Sequence, residues 1–225
     1  MAIGFAVATG AILGVALRPY GPESTARADV ISAMQIITLL GIASTFISRI
    51  PQLPIWKRWC LPLVATLTGL IVACQGFLPP VDVALLLVAG ALWNVFLLGL
   101  SAATAGTRDD SGRVPVAALA VGVVLPFWPI AAAPLINLAS GGVLGAMLNL
   151  IFSLCPSIWI IHITERTTGM NALVWFHSHL LYRVVPLGQN VLMPQAIPWY
   201  WVAGSLGLLG SGLQSLAQWR RSWHA

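Results

Sequence analysis

The sequence predicts an all-α membrane protein whose core is seven helices, arranged as two parallel three-helix bundles joined by a linker helix. Three observations predict it. First, 58% of the 225 residues are hydrophobic and only 8% are charged, and the mean hydropathy is +0.89; that leaves too little polar surface to cover a soluble globule. Second, apolar runs near or above the length that crosses about 30 Å of hydrocarbon recur along the whole chain, which favours helices over a barrel. Third, two proline-bearing stretches, one in each half of the chain, resemble one another and imply a repeat.

The first twenty residues, MAIGFAVATGAILGVALRPY, are apolar but short for a span, lack a basic start, and end at Arg18, Pro19, Gly21 and Pro22. They are compatible with one extra N-terminal helix, with an interfacial segment and with a signal peptide. Core helices are then expected over about 31–53, 61–78, 82–104, 114–138, 141–163, 171–190 and 198–219. The punctuation between them is PIWKRW, FLPPVD, TRDDSGR, ASGG, TERTTG and GQNVLMPQAIP. The resulting organisation is an N-terminal segment 1–30, a first bundle 31–104, a linker helix 105–138, and a second bundle with its tail over 139–225.

The net charge of +5 and pI of about 9.7 would suit nucleic acid, but the cations flank apolar runs, so they read as topology signals and no nucleic-acid partner is expected. With alternating crossings, Lys57, Arg58, Arg108, Arg113, Arg166, Arg220 and Arg221 all fall on one side, and Arg183 is the exception. The positive-inside rule makes that side cytoplasmic, with the C-terminus inside and the cell membrane as the expected location. Cys60, Cys74 and Cys155 have no paired spacing, so neither a disulfide framework nor a zinc site is expected.

The repeat rests on IASTFISRIPQLPIW and LNLIFSLCPSIWII. Aligning Pro51 with Pro156 pairs Ser48 with Ser153, Gln52 with Ser157 and Trp56 with Ile161. Each proline precedes a charged turn and two further helices. A proline inside a helix removes a backbone hydrogen bond and leaves a point of bending, so Pro51 and Pro156 are hinge candidates together with Gln52 and Ser157; a proline near a helix end also simply terminates it. Gln52 would bridge freed backbone groups, and Arg49 would reach the headgroups.

The stretch SRIPQLPIWKRW resembles the PQ-loop motif, and the three-plus-one-plus-three layout is similar to the SWEET and PQ-loop superfamily of membrane transporters, over roughly residues 31–219. The second copy departs from the motif at Ser157, where the family pattern has glutamine. The resemblance implies alternating access around a central site, with Pro51 and Pro156 as hinges and a core running from outside to cytoplasm.

Polar groups at mid-membrane depth are costly unless paired or facing a cavity. They are few here: Asn94 in ALWNVFLLGL, and Ser211 and Gln214 in GSGLQSL. In the sugar transporters of the resembling superfamily, an asparagine on each of these two helices holds substrate; Asn94 matches, and Ser211 stands where the second would be. Amides and hydroxyls suit a neutral polyol, and Trp93 and Trp175 are candidate stacking walls. His177 is a further candidate, as a proton carrier or as a hydrogen-bonded structural residue. His177 and His179 point about 200° apart on a helix, so they do not share a metal.

No acidic residue falls deep within an expected helix, which disfavours carboxylate-based proton or sodium coupling. No Walker loop, HExxH or acidic cluster points to an enzyme, and no cofactor or metal is expected. The leading expectation is a facilitative transporter of a small neutral solute, sugar first, embedded in the lipid bilayer and compatible with a homo-oligomer. A receptor, sorting or lipid-handling protein of the same fold is the alternative. An intramembrane haem protein using His162, His177 or His179 is a third reading.

Overall fold

The computed structural model describes residues 2–17, 26–47, 54–74, 78–104, 115–131, 153–168 and 198–223. Among them are seven helices and no strand: α1 Ala2–Ala16, α2 Ala26–Ile47, α3 Ile55–Ala73, α4 Pro80–Ala103, α5 Val116–Ala131, α6 Pro156–Thr168 and α7 Trp199–Ser222. The segments holding Pro51, Gln52, Trp175, His177, Arg108, Arg113 and the expected helix over 171–190 lie outside the described residues.

Among the described residues two helices are long and apolar enough to cross a membrane: α2 over Asp29–Ile47 and the whole of α4, with mean hydropathies of 2.0 and 2.3. α1 is apolar but has only 15 residues. α3 begins with Lys57 and Arg58 in its first turn, and α7 ends in QWRRS; these polar ends dilute otherwise apolar helices.

Local sequence explains where the helices begin. α4 opens on Pro79 and Pro80, with Asp82 in its first turn, where proline lacks a needed donor least and a carboxylate complements the helix dipole. α3 opens after Pro54, whose carbonyl accepts from the Lys57 amide at 2.9 Å. α6 opens on Pro156, and the Cys155 carbonyl accepts from the Ile158 amide at 3.0 Å.

Glycines set how closely the helices approach. Ala6, Gly10 and Gly14 are buried on one face of α1, and the two glycines meet Ala65, Gly69 and Val72 of α3. A Cβ on Gly10 would lie 2.3 Å from the Ala65 carbonyl oxygen, and one on Gly14 would lie 2.7 Å from that of Gly69. Small residues at every fourth position let two backbones touch, and the rising pairs show that α1 and α3 run in parallel. The same device joins α4 to α7, where a Cβ on Gly99 would lie 2.1 Å from the Gly210 carbonyl oxygen and one on Gly207 would meet Leu92.

α2 lies parallel to α4: Ile37 sits beside Gly90, Gly41 beside Trp93 and Leu97, and Ser101 donates to the Thr45 carbonyl at 3.5 Å. α3 runs antiparallel to α2, with Ile36 beside Gly69 and Cys74 Sγ 3.8 Å from the Asp29 carbonyl. Lys57, Arg58 and Arg220 stand where α2 and α4 finish; Asp29, Asp82 and Glu165 stand where α2 and α4 begin, the end at which Arg27 also lies.

α6 corrects the expected layout. Trp159 packs on Trp93 and Thr167 donates to Asp82 Oδ2, so α6 runs antiparallel to α4, whereas the two-bundle repeat requires those helices to be parallel. Arg166 thereby falls at the acidic end and not beside Lys57 and Arg58. Pro156 is the first residue of α6 and not an interior hinge of a continuous 141–163 helix. The physical reason is that a residue preceding proline is pushed out of the helical region, here Cys155, and proline is preferred at the first helical position.

Candidate functional site

The middle of α4 carries the site. Its neighbours bury Trp93 completely, and Asn94 is only 5% exposed. Trp93 stacks edge to face on Trp159 at 6.1 Å and 82°, and it lies 5.6 Å from Phe96. Gly41 of α2 makes room for the indole, since a Cβ there would lie 2.9 Å from Trp93 Nε1.

Neither Trp93 Nε1 nor Asn94 Oδ1 has a hydrogen-bond partner. One is a pure donor and the other a pure acceptor, consecutive in the chain and both shielded from solvent. Each such group left unsatisfied costs about 1–3 kcal/mol, which packing elsewhere must offset.

The start of α6 forms the adjoining wall. Pro126 in α5 offers its carbonyl to the Ser157 hydroxyl at 3.1 Å and to the Cys155 thiol at 3.4 Å. Trp159 Nε1 donates to the Ser153 carbonyl at 2.6 Å, which closes the break around Leu154 and Cys155 and fixes the Trp159 ring against Trp93. One turn further along α6, His162 has Nδ1 3.4 Å from Glu165 Oε2, while its buried Nε2 has no hydrogen-bond partner.

The other expected residues are placed as follows. Ser157 is buried beside Pro126 and acts as a fastener between α5 and α6. Ser211 is exposed on α7 and gives its hydroxyl to the Gly207 carbonyl at 3.0 Å. Gln214, one turn on, is half-buried. Trp93 meets Trp159, whereas the Ser211 hydroxyl is spent on its own helix. Trp175, His177, Pro51 and Gln52 lie outside the described residues.

Trp159 was not singled out from the sequence, and His162 only as a candidate haem ligand. Trp159 and His162 are three apart and share a helix face; the signal that finds them is Pro156, once it is taken as a helix start.

Among the described residues no three histidine, cysteine or acidic groups gather as a metal site, and Asp29, Asp82, Glu165, Lys57, Arg58 and Arg220 all stand toward helix ends. Known proteins offer no match: no family model, no curated protein and no solved structure matches the chain.

Proposed function

We propose that the protein is a membrane carrier for a small neutral solute bearing hydroxyl groups, of the sugar or polyol kind, which moves down its own gradient. One observation carries the reading: a buried donor, Trp93 Nε1, and a buried acceptor, Asn94 Oδ1, stand consecutively in mid-α4 without partners. Consecutive helix positions point about 100° apart, so a solute with several hydroxyls, each able to donate and accept, suits both groups, and the Trp93 and Trp159 rings present apolar surface of the kind that packs on a sugar face. A charged solute would enter a layer with no described ion to meet it.

Because Trp93 and Asn94 are buried, the conformation in hand is closed over them, and access requires helices to move. The break at Leu154–Cys155 supplies a joint at the depth of the site, as discontinuous helices do in transporters. The resemblance of SRIPQLPIWKRW to the PQ-loop motif supports the same class, although the antiparallel α6 departs from that superfamily's layout. By the positive-inside rule the end with Lys57, Arg58 and Arg220 is cytoplasmic, in the cell membrane.

The test is uptake of radiolabelled sugars, polyols and other neutral solutes into proteoliposomes holding the native chain, Asn94→Leu or Trp93→Phe. Solute-specific flux that falls at least roughly ten-fold in both variants, the loss of one buried hydrogen bond, supports the carrier. Silence of the folded native chain across the panel sends the function to the alternative, a receptor, sorting or lipid-handling role.

A further inference from the structure

A cavity lies away from the Trp93–Asn94 layer, between α1, α2 and α3, with a volume of about 570 Å³. Small-molecule sites generally fall at about 300–1,000 Å³, so it is large enough for a ligand. Its walls include Phe5 and Thr9 of α1, Leu40 and Ala43 of α2, and Leu61 and Pro62 of α3. The one hydroxyl among these six, on Thr9, already donates to the Phe5 carbonyl at 2.8 Å, so these side chains offer an occupant no free donor. Hydrocarbon is the chemistry they suit.

The charge at the mouth narrows this further. Lys57 precedes Leu61 by one turn on α3, and Arg58 precedes Pro62 likewise, so both cations share the faces that line the cavity. Helix side chains lean toward the N-terminus, which carries Lys57 outward from the cavity toward the end of the bundle. Its Nζ lies over the Trp56 ring at 5.3 Å from the centroid, an amphipathic aromatic of the kind that marks the headgroup level. A dry slot one turn deeper than a fixed cation is complementary to an amphiphile with an apolar chain and an anionic head.

We propose that this cavity holds one acyl chain of an anionic membrane phospholipid, with its phosphate at Lys57. The site is distinct from the solute layer at Trp93 and shares with that reading only the membrane setting. α1 is needed for it, because Phe5 and Thr9 supply one of its walls. The close Gly10–Ala65 approach holds α1 in place to do so.

The test uses the full chain in detergent and counts lipids retained in native mass spectrometry, titrating phosphatidylglycerol against phosphatidylcholine with identical chains. Retention of phosphatidylglycerol at about five-fold lower added lipid is expected, in line with one cation near a headgroup. Lys57→Glu is expected to erase that preference while leaving the helical circular dichroism unchanged. Ala43→Trp fills the slot and is expected to lower retention of both lipids; Thr9→Phe serves the same purpose from α1 should the first variant not fold. Equal retention of the two lipids by the native chain, a preference untouched by Lys57→Glu, or retention surviving a folded slot-filling variant would each overturn the proposal. Solute flux is not the readout, so failure of the carrier reading leaves this result interpretable.

Discussion

Trp93 and Trp159 meet edge to face, 6.1 Å between ring centroids and 82° between planes, and this contact together with the one between Thr167 and Asp82 runs α6 antiparallel to α4. With the rings fixed, Thr167 reaches Asp82 at the start of α4, and the Cys155–Pro156 break falls beside Pro126 of α5.

That direction predicts a cross-link. In a background with Cys60, Cys74 and Cys155 changed to alanine, Asp82→Cys with Thr167→Cys is expected to form a disulfide on mild oxidation, because the two side chains are in hydrogen-bond contact and paired Cβ atoms need be only about 3.5–4.5 Å apart. A parallel α6 would place residue 167 at the far end of α4. The measurement is the gel shift between oxidised and reduced protein after proteolytic cleavage between residues 105 and 114; no shift would remove the antiparallel arrangement.

Trp159→Ala is expected to destabilise the protein by about 3–5 kcal/mol, the range for emptying a fully buried aromatic position. It also leaves the Ser153 carbonyl without the indole that now donates to it. Trp159→Phe keeps part of the ring packing and loses the hydrogen bond, so its cost is expected to be smaller. Thermal unfolding followed by circular dichroism orders the two variants, and equal stability of native and alanine forms would contradict the packing described.

Much of the helix map was legible in the sequence, because apolar runs broken by Pro, Gly and charge mark helices irrespective of tertiary context. The starts of α4 at Pro80 and of α7 at Trp199 fell within two residues of expectation. Asn94 was legible for a similar reason, as an amide in the centre of an apolar run. The direction of α6 was not. Pro156 with its serines matched Pro51 in spacing, yet the same residues are also those of a helix start, and only the non-helical Cys155 decides between the two. Once α6 was taken to begin near residue 141, Trp159 and His162 fell toward its end and away from Asn94. The N-terminal segment stayed open because its 15-residue helix is short for a span; what holds it is the Gly10 and Gly14 face, which length and hydropathy do not report.

That face gives a comparison within one helix. Gly10→Leu puts a branched side chain where even a Cβ would lie 2.3 Å from the Ala65 carbonyl oxygen, while a Cβ on Gly4 meets nothing within 4 Å. Gly4→Ala is expected to be neutral or to stabilise by about 0.5–1 kcal/mol through helix propensity. Gly10→Leu is expected to part α1 from α3, lowering the unfolding temperature and exposing α1 to limited proteolysis. Similar behaviour of the two variants would mean that α1 does not pack through Gly10.

Asn94→Leu separates stability from function. In a well-packed core, replacing a residue usually costs stability, but here the amide oxygen is buried with no partner and carries a penalty of about 1–3 kcal/mol. Leucine has a comparable shape and no acceptor, so the variant is expected to unfold at a higher temperature than the native chain, by an amount corresponding to about 1 kcal/mol. If Asn94 is kept to meet a solute hydroxyl, the same variant loses flux while gaining stability, the trade expected of a residue retained for binding. Trp93→Phe makes the complementary test on the donor side, keeping a ring against Trp159 and removing Nε1–H. Lower stability in Asn94→Leu would instead mean that the amide has a structural partner in the protein as it functions, and the solute-binding assignment would lose its main support.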